Sequence, residues 1–527
     1  MQQPAPHVLA IDLGTSGCKA AVVSLEGRVA GSARVPVPTI RLPGNGAEQD
    51  PEAVWSAVKA ACRGALGSAQ VPPAEVQAVI CASQYSSVVP LDAHGRPTMN
   101  MLLWQDQRGV TARLRRLPGF PRGTDGPLAM LDWLRIHGLP PVGGGIALTH
   151  LRFVKFARPE VYARTATFLE PADFVTSRLT GRAVANQCTA FMFLLTDNRR
   201  LGVTEYDARL LRHSLIDRDK LPELVPADAI VGTVRPELAE ELGLAPGTRV
   251  VTGLNDTQAG GIGAGAFVGA HAGISVGSTS VMITHVPGKR TDLRRGLLSM
   301  PSPVPDTWFV MAENGTGGGA LEHFLSRIVY PDDAFGAADG ADRYRRLERA
   351  VAATTPGSGG VLFLPWLSGS MAPRADHGMR GGFLNVGLGT TREQLARAVL
   401  EGVALNLRWL RGAVEGFTRR SIPHFVLYGG AAASDAWSQV LADVLDAPVR
   451  QAQDPDFVVA RGAALLGFQR LGMLGFDDIA QRVPVRRTFE PCPANRALYA
   501  RLAERFEQAF HRTRPLFRAL NATEDRQ

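Results

Sequence analysis

The sequence predicts an α/β protein built from two related halves, and three observations predict it. The chain opens strand–turn–strand–turn–strand: HVLAIDL, then GCKAAVVSL, then RVAGSARVPV after a tight connection at Glu26-Gly27. Beyond residue 50, segments of helical period alternate with apolar strand-like runs. Near Thr248 the pattern begins again. RVVTGLND reads as an apolar strand ending in Asn255-Asp256, and AGISVGSTSVMITHV as a second strand–Gly turn–strand hairpin of the same kind as the first.

Taken in order, the opening meander is followed by a helix with Pro51 in its first turn and Val54, Trp55, Val58 and Ala61 at helical spacing. VQAVICAS then reads as a buried strand. The boundary between the halves is placed near residue 263, giving domains 1–262 and 263–527. No low-complexity linker separates them, so a hinge is expected rather than a loose tether. In the second half TREQLARAVLEGVALNLRWL is a long helix. SDAWSQVLADVL is another, capped by Ser434 or Asp435, with Trp437, Val440, Leu441, Val444 and Leu445 on one core-facing side. From about Pro493 the pattern is an Arg-rich helical tail.

Composition narrows the function classes. A chain of 527 residues exceeds one ordinary core, and 45% hydrophobic with 20% charged residues is a globular balance. No apolar run approaches the roughly 20 residues of a membrane span, so no membrane association is expected. MQQPAPHVLAID lacks a basic region followed by an apolar stretch, and the expected compartment is the cytoplasm. Cys18, Cys62, Cys81, Cys188 and Cys492 are widely spaced with no CxxC pair, which fits reduced thiols. The net charge of +8 is carried almost wholly by scattered Arg, Lys being confined to Lys19, Lys59, Lys155, Lys220 and Lys289. The densest basic run, KRTDLRR, has no interleaved aromatics, so nucleic acid is not an expected partner.

Several motifs are absent or misplaced. There is no GxxxxGK[ST] loop. Gly261-Ile-Gly263-Ala-Gly265-Ala266 fits a loose GxGxxA but follows a loop, and close helix packing explains it better. Gly273-Ile-Ser275-Val-Gly277 fits GxSxG, yet the residues after Gly277 read as strand where a nucleophile elbow needs a helix. DLGTSGCK is more informative. An Asp at a strand end followed by Gly14-Thr15-Ser16 makes a turn whose backbone N–H groups can face phosphate oxygens. Thr15 and Ser16 add hydroxyls, Lys19 adds charge, and Asp12 suits a Mg²⁺ ion held through water. Gly277-Ser278-Thr279-Ser280 repeats such a turn. Gly429-Gly430-Ala431-Ala432-Ala433-Ser434 follows a strand and opens a helix, leaving room for a flat base beside free N–H groups. Asn314-Gly315-Thr316-Gly317-Gly318-Gly319 is another Gly-rich turn before a helix.

The ordered set DLGTSGCKA, LLWQDQRG, GLNDTQAGGIGAG, ISVGSTSV, NGTGGGALEHF, LYGGAAASDAWSQVLADVLDAPV and VVARGAALLG resembles the FGGY carbohydrate kinases, nearest in kind to their xylulokinase-like branch. The resemblance spans residues 7 to about 470. It implies a two-domain actin-like ATPase (ribonuclease H-like) fold, with ATP, Mg²⁺ and a small sugar or polyol in the interdomain cleft. It assigns Asp256 as general base for a hydroxyl that attacks the terminal phosphate. It places Asp12, Gly14, Thr15, Ser16, Lys19, Gly277 and Ser278 at the phosphates, and Gly317 and Gly318 near ribose or phosphates. Gly429, Gly430, Ala431 and Ser434 frame the adenosine. Gln84, Tyr85, Trp104, Asp106, Arg108 and Asn255 are the acceptor side. A homodimer is left open.

The pattern departs from xylulokinases at one informative place. Where they carry Gln-Met-His-Gly, this chain has Gln84-Tyr85-Ser86-Ser87. Losing the His removes a hydrogen-bonding group and changes pocket volume, which argues against D-xylulose and leaves another ketose, a pentitol or a sugar acid open. GSTS likewise stands where the family often has GTSG. A non-catalytic nucleotide-binding protein of the same fold is the competing reading, and a serine hydrolase acting through Ser275 a more distant one.

Overall fold

A computed structural model describes residues 5–267, 269–332 and 342–521. Strand β1 (His7–Gly14) turns back through Thr15 and Ser16 into β2 (Gly17–Ser24), and β3 (Val29–Pro36) lines the far edge of β2. On the other side of β1 lies β4 (Val76–Ser83), parallel to it, then two short strands of the later chain: β5 (Ile230–Thr233) pairs antiparallel with β6 (Arg249–Val251), which runs parallel to β4. The final strand of this sheet, β7 (Leu254–Asn255), also pairs with β4.

β1 is apolar on both faces because both are covered. Leu9, Ile11 and Leu13 pack with Val54, Trp55 and Val58 of the helix Pro51–Ala69, whereas Val8 and Ala10 pack with Ala460, Ala463 and Ala464 of the helix Val458–Arg470. Period-two alternation sends successive residues to opposite layers. Leu465 and Leu466 are fully buried in the second layer, each contributing about 1.5–3 kcal/mol of transfer free energy. Residues from near the end of the second half thus cover the first sheet.

The second sheet repeats the plan. β8 (Ala272–Val276) and β9 (Thr279–Val286) form a hairpin. β10 (Thr291–Asp292), β11 (Leu297–Pro301) and β12 (Trp308–Thr316) extend it beyond β9. Across β8 stand β13 (Phe425–Tyr428) and β14 (Val449–Ala452), both parallel, and then antiparallel β15 (Val485–Phe489). The two sheets correspond strand for strand: β1, β2, β3, β4, β6 and β5 in the first match β8, β9, β12, β13, β14 and β15 in the second. This is the duplicated architecture expected of an actin-like ATPase.

Two local differences from the sequence reading have physical causes. RVVTGLND is not one strand; it breaks at Thr252 and Gly253, because Thr252 Oγ1 donates to Ala227 O at 2.6 Å and the carbonyl of Gly253 is taken by Asn186 Nδ2 at 2.9 Å. The Asn314–Thr316 part of the Gly-rich run is the end of β12 rather than a turn. The Gly261–Ala266 run packs as expected: a Cβ on Gly462 would meet Ala259 O at 1.9 Å, and one on Gly263 would meet Val458 O at 2.1 Å. Only glycine permits these two helices to touch backbone to backbone.

Candidate active site

Strand register brings the site together. Leu13 of β1 is level with Ser83 of β4, and Ser83 is level with Asn255 of β7. The Gly14–Ser16 turn, the Gln84–Ser87 loop and Asp256 therefore leave three neighbouring parallel strand ends at the same height. Parallel sheets place ligands at this carboxyl-end edge.

In the first hairpin Asp12 and Lys19 are cross-strand partners, and Lys19 Nζ donates to Asp12 Oδ2 at 3.2 Å. Lys19 also donates to the carbonyl of Asp456 at 3.1 Å, just before the helix Val458–Arg470, and Arg34 pairs with the Asp456 carboxylate at 3.2 Å. Ser16 is exposed at the tip, with Gly14 and Thr15 half-buried beside it.

The Thr15 hydroxyl is not isolated. It donates to Gln84 Oε1 at 2.6 Å and accepts from Trp104 Nε1 at 3.0 Å. Gln84 Nε2 donates to Gln49 Oε1 at 3.3 Å, and Gln49 Nε2 returns to the Thr15 carbonyl at 2.7 Å. Trp104 is 39% exposed, leaving a ring face open to the cleft, whereas Gln84 is buried. Behind Trp104 the expectation for Asp106 is corrected. Its carboxylate is fully buried and bonded to Ala47 N at 2.9 Å, Arg108 N at 2.9 Å and the Arg108 guanidinium at 2.6 Å. Burial works to raise its pKa, but those donors hold it below the usual carboxylate range. Arg108 also pairs with Glu48 and lies 4.8 Å from the Phe153 ring centre. Asp106 braces the pocket from behind, and Arg108 gives its Nε and Nη2 to Asp106 and its Nη2 also to Glu48.

The Gln84–Ser87 loop is held by Glu170, whose two oxygens accept from Ser86 N and Ser87 N, each at 3.1 Å. Ser86 sits at φ 62°, and its hydroxyl donates to Gly145 O at 2.6 Å. Tyr85 projects across the cleft, its hydroxyl 3.1 Å from Met311 Sδ on β12. Burial and then the charge of Asp256 push its phenol up.

Asp256 opens the helix Asp256–Gly263 and accepts from Thr257 N at 2.6 Å. Burial first, and then the charge of Asp12, push its pKa up to about 7; the Thr257 N–H and Lys19 oppose this, and Glu313 of β12 adds to the rise. Asn255 is buried and turned away, donating to Cys188 O at 3.1 Å; it fixes the strand end rather than facing the cleft.

Across the cleft, Gly277 and Ser278 form the exposed tip of the second hairpin. The N–H groups of Gly317 and Gly318 donate to Ser278 O at 3.0 Å and Gly277 O at 2.7 Å. A Cβ on Gly318 would meet Gly277 O at 2.6 Å. These glycines back the second hairpin at close quarters, their own N–H groups being bonded to its carbonyls. Gly429, at φ 81°, donates to Pro455 O at 3.2 Å, with Gly430 exposed and Ala431 buried next to it. The Ser434 hydroxyl accepts from Trp437 N at 3.0 Å, capping the helix Asp435–Leu445, and donates to Glu348. Glu348 also accepts from Ala436 N at 3.2 Å.

Sequence reasoning missed Gln49, Glu170, Glu313, Glu348 and Asp456. A signal existed for Gln49 alone: GAEQ carries two polar side chains in a short segment that proves wholly buried, directly before the Asp50-Pro51 helix start. The others act from elements distant in sequence. Among the described residues no cluster of three or more His, Cys, Asp or Glu could hold a metal, and no helix is long and apolar enough to cross a membrane.

Two sheets of matching topology, each opening with a Gly-rich hairpin, and a buried carboxylate, Asp256, that feels both Asp12 of the first sheet and Glu313 of the second, are the arrangement of a phosphotransferase of the actin-like ATPase fold. The chain belongs to the FGGY family of carbohydrate kinases: its residues 7–263 match the N-terminal domain of that family and residues 272–470 the C-terminal domain. It is 26% identical over 519 residues to the xylulose kinase of Bacillus subtilis (strain 168), covering 98% of this chain and 99% of that protein. The gluconokinase of the same strain is 24% identical, with 90% of each chain covered. Among solved structures, the xylulose kinase from Rhodospirillum rubrum superposes with a TM-score of 0.81 at 25% identity, covering 97% of this chain and 99% of that one. Gluconate kinase from Lactobacillus acidophilus has a TM-score of 0.82 at 20% identity, covering 97% and 98%, which speaks for the fold. This protein is accordingly an ATP-dependent carbohydrate kinase of that family.

Proposed function

We propose that the enzyme phosphorylates a hydroxyl of a neutral ketose or polyol, with Asp256 as general base. The observation that carries this reading is the common height of Leu13, Ser83 and Asn255, which sets the phosphate turn, the acceptor loop and Asp256 side by side. The acceptor oxygen attacks the terminal phosphorus of ATP, its proton passes to the Asp256 carboxylate, and the bond to the ADP oxygen breaks. A carboxylate raised to about 7 is matched to that proton. The two hairpins supply N–H groups and hydroxyls to the phosphates, and Gly429, Gly430 and Ala431 leave space for the base.

Magnesium fits Asp12, an acceptor-only carboxylate with one oxygen on Lys19 at 3.2 Å; bound there, the ion would neutralise phosphate charge. Gln84, Tyr85 and Trp104 face the acceptor. The negative field there, from Asp12, Asp256 and Glu313, favours a neutral acceptor, since Arg108 is already paired with Asp106 and Glu48. Tyr85-Ser86-Ser87, in place of Met-His-Gly, supports an acceptor other than D-xylulose. We place the domain boundary near residue 263, supported by the two family matches on either side of it. A cytoplasmic setting is supported by five free cysteines. A homodimer is read by light scattering.

The test is a coupled ADP-release screen over pentuloses, hexuloses, pentitols, tetritols and aldonic acids. A neutral compound is expected to turn over best. Preference for an aldonate would overturn the acceptor class, and silence across the panel would overturn the reading as a whole.

A further inference from the structure

The polarity of the hydrogen-bond chain at Thr15 can be solved from its ends. One end is the indole N–H of Trp104, which only donates, so the Thr15 oxygen must accept there. The other end is a pair of backbone carbonyls, Thr15 O at 2.7 Å and Val37 O at 3.5 Å from Gln49 Nε2, which only accept. Gln49 must therefore turn its NH₂ toward them and its oxygen toward Gln84. Gln84 then presents NH₂ to Gln49 and its oxygen to Thr15. Each amide orientation is forced by its neighbour. The hydroxyl of Thr15 has a single proton, and it is committed to Gln84 Oε1 at 2.6 Å.

This has a consequence for a residue at the tip of the phosphate turn. A hydroxyl that donates to Gln84 cannot also donate to a phosphoryl oxygen. Gln84 and Trp104, the two partners that lock it, belong to the acceptor side of the cleft. We infer that Gln84 is a positioning residue that holds the Thr15 proton away from the nucleotide until an acceptor engages Gln84 and Trp104. Gln84 Oε1 has two lone pairs, so an acceptor hydroxyl frees Thr15 by competing for the one that Thr15 holds, and the freed Thr15 proton then turns to the phosphate. The phosphate grip is then completed only when a sugar is in place, which restrains transfer to water. This inference rests on the proposed placement of Thr15 at the phosphates.

The test is ADP release from ATP with no acceptor present. It is measured for wild type, Gln84→Met, Thr15→Val and the double variant, with ATP affinity followed by calorimetry. Gln84→Met is expected to raise acceptor-free ADP release by roughly tenfold, the effect of one donor bond to a charged acceptor, while transfer to the sugar falls. In the Thr15→Val background the rise should vanish. Gln49→Met, which frees the Gln84 amide to turn over, should raise the same rate and covers a failure of Gln84→Met to fold. No rise in a variant that still binds ATP overturns the inference. So does a rise that survives Thr15→Val, since it would then come from water entry alone. A wild type that transfers to no acceptor in the panel would instead overturn the proposed function, so the two failures are distinguishable.

Discussion

Asp12 lies near the end of β1 and Asp256 directly follows β7, strands that both pair with β4, and the charge of the first raises the proton affinity of the second. Burial is the larger cause, and together they bring Asp256 to about 7. A base must be ionised to work. The kcat/KM for the acceptor should therefore fall tenfold per pH unit below about 7 and level off above it. Asp256→Asn should lose at least a thousandfold in turnover, on the order of a lost general base with its alignment, while ATP binding survives in calorimetry.

The same shift has a stability side. Between 3.8 and about 7 the folded protein holds a proton on Asp256 that the unfolded chain has released. Stability contributed by the protonated group is full below 3.8 and is lost as pH rises through about 7. Asp256→Asn removes that penalty. Its thermal midpoint should exceed that of wild type at pH 8 and converge with it at pH 4, as read by calorimetric scans.

Lys19 opposes the rise at Asp256 and pairs with Asp12 at 3.2 Å. Lys19→Met should move the acid limb of the rate profile to higher pH. It also leaves Asp12 without its neighbour and unties Asp456, so the dependence on magnesium concentration should change in the same variant. A profile with an unmoved midpoint would contradict this electrostatic account.

Glu348 accepts from both the Ser434 hydroxyl and Ala436 N, bracing the loop proposed to frame adenosine. Glu348→Ala should raise KM for ATP about tenfold and leave KM for the acceptor nearly unchanged, in line with one charge-assisted contact of roughly 1.5 kcal/mol. Steady-state kinetics with each substrate varied separately reads the split.

Asp106 is a test of brace against contact. Removing a fully buried carboxylate that carries Arg108 and the Ala47 N–H should cost about 3–5 kcal/mol in urea unfolding, because Arg108 is left under-compensated beside Glu48. A direct sugar contact would instead raise acceptor KM at unchanged stability.

Much of the site was legible in short segments. The Asp12–Lys19 hairpin, the Gly277 turn and the Ser434 cap are local: turn-forming residues, strand alternation and a helix start each leave their mark within about ten positions. The Gly261–Ala266 run was legible as close packing too, though its partner, Gly462, was not. What the sequence left open were contacts made by long-range pairing. Nothing near Glu170 indicates that it holds Ser86 and Ser87, and nothing near Glu348 indicates Ser434. Nothing near Gly317 and Gly318 indicates that their N–H groups bond the carbonyls of Ser278 and Gly277 in another hairpin.

By itself, then, the sequence determined the α/β duplication, the two Gly-rich hairpin turns and the family, and it named the residue proposed as base. The tertiary structure alone decided which polar atoms remain available. The Asp106 carboxylate is taken by Arg108 and Ala47 N, the Asn255 amide by Cys188 O and the Thr15 proton by Gln84. The reason is physical: a residue type states what a side chain can donate or accept, but whether that capacity is already spent depends on neighbours that only folding brings within 3 Å or so.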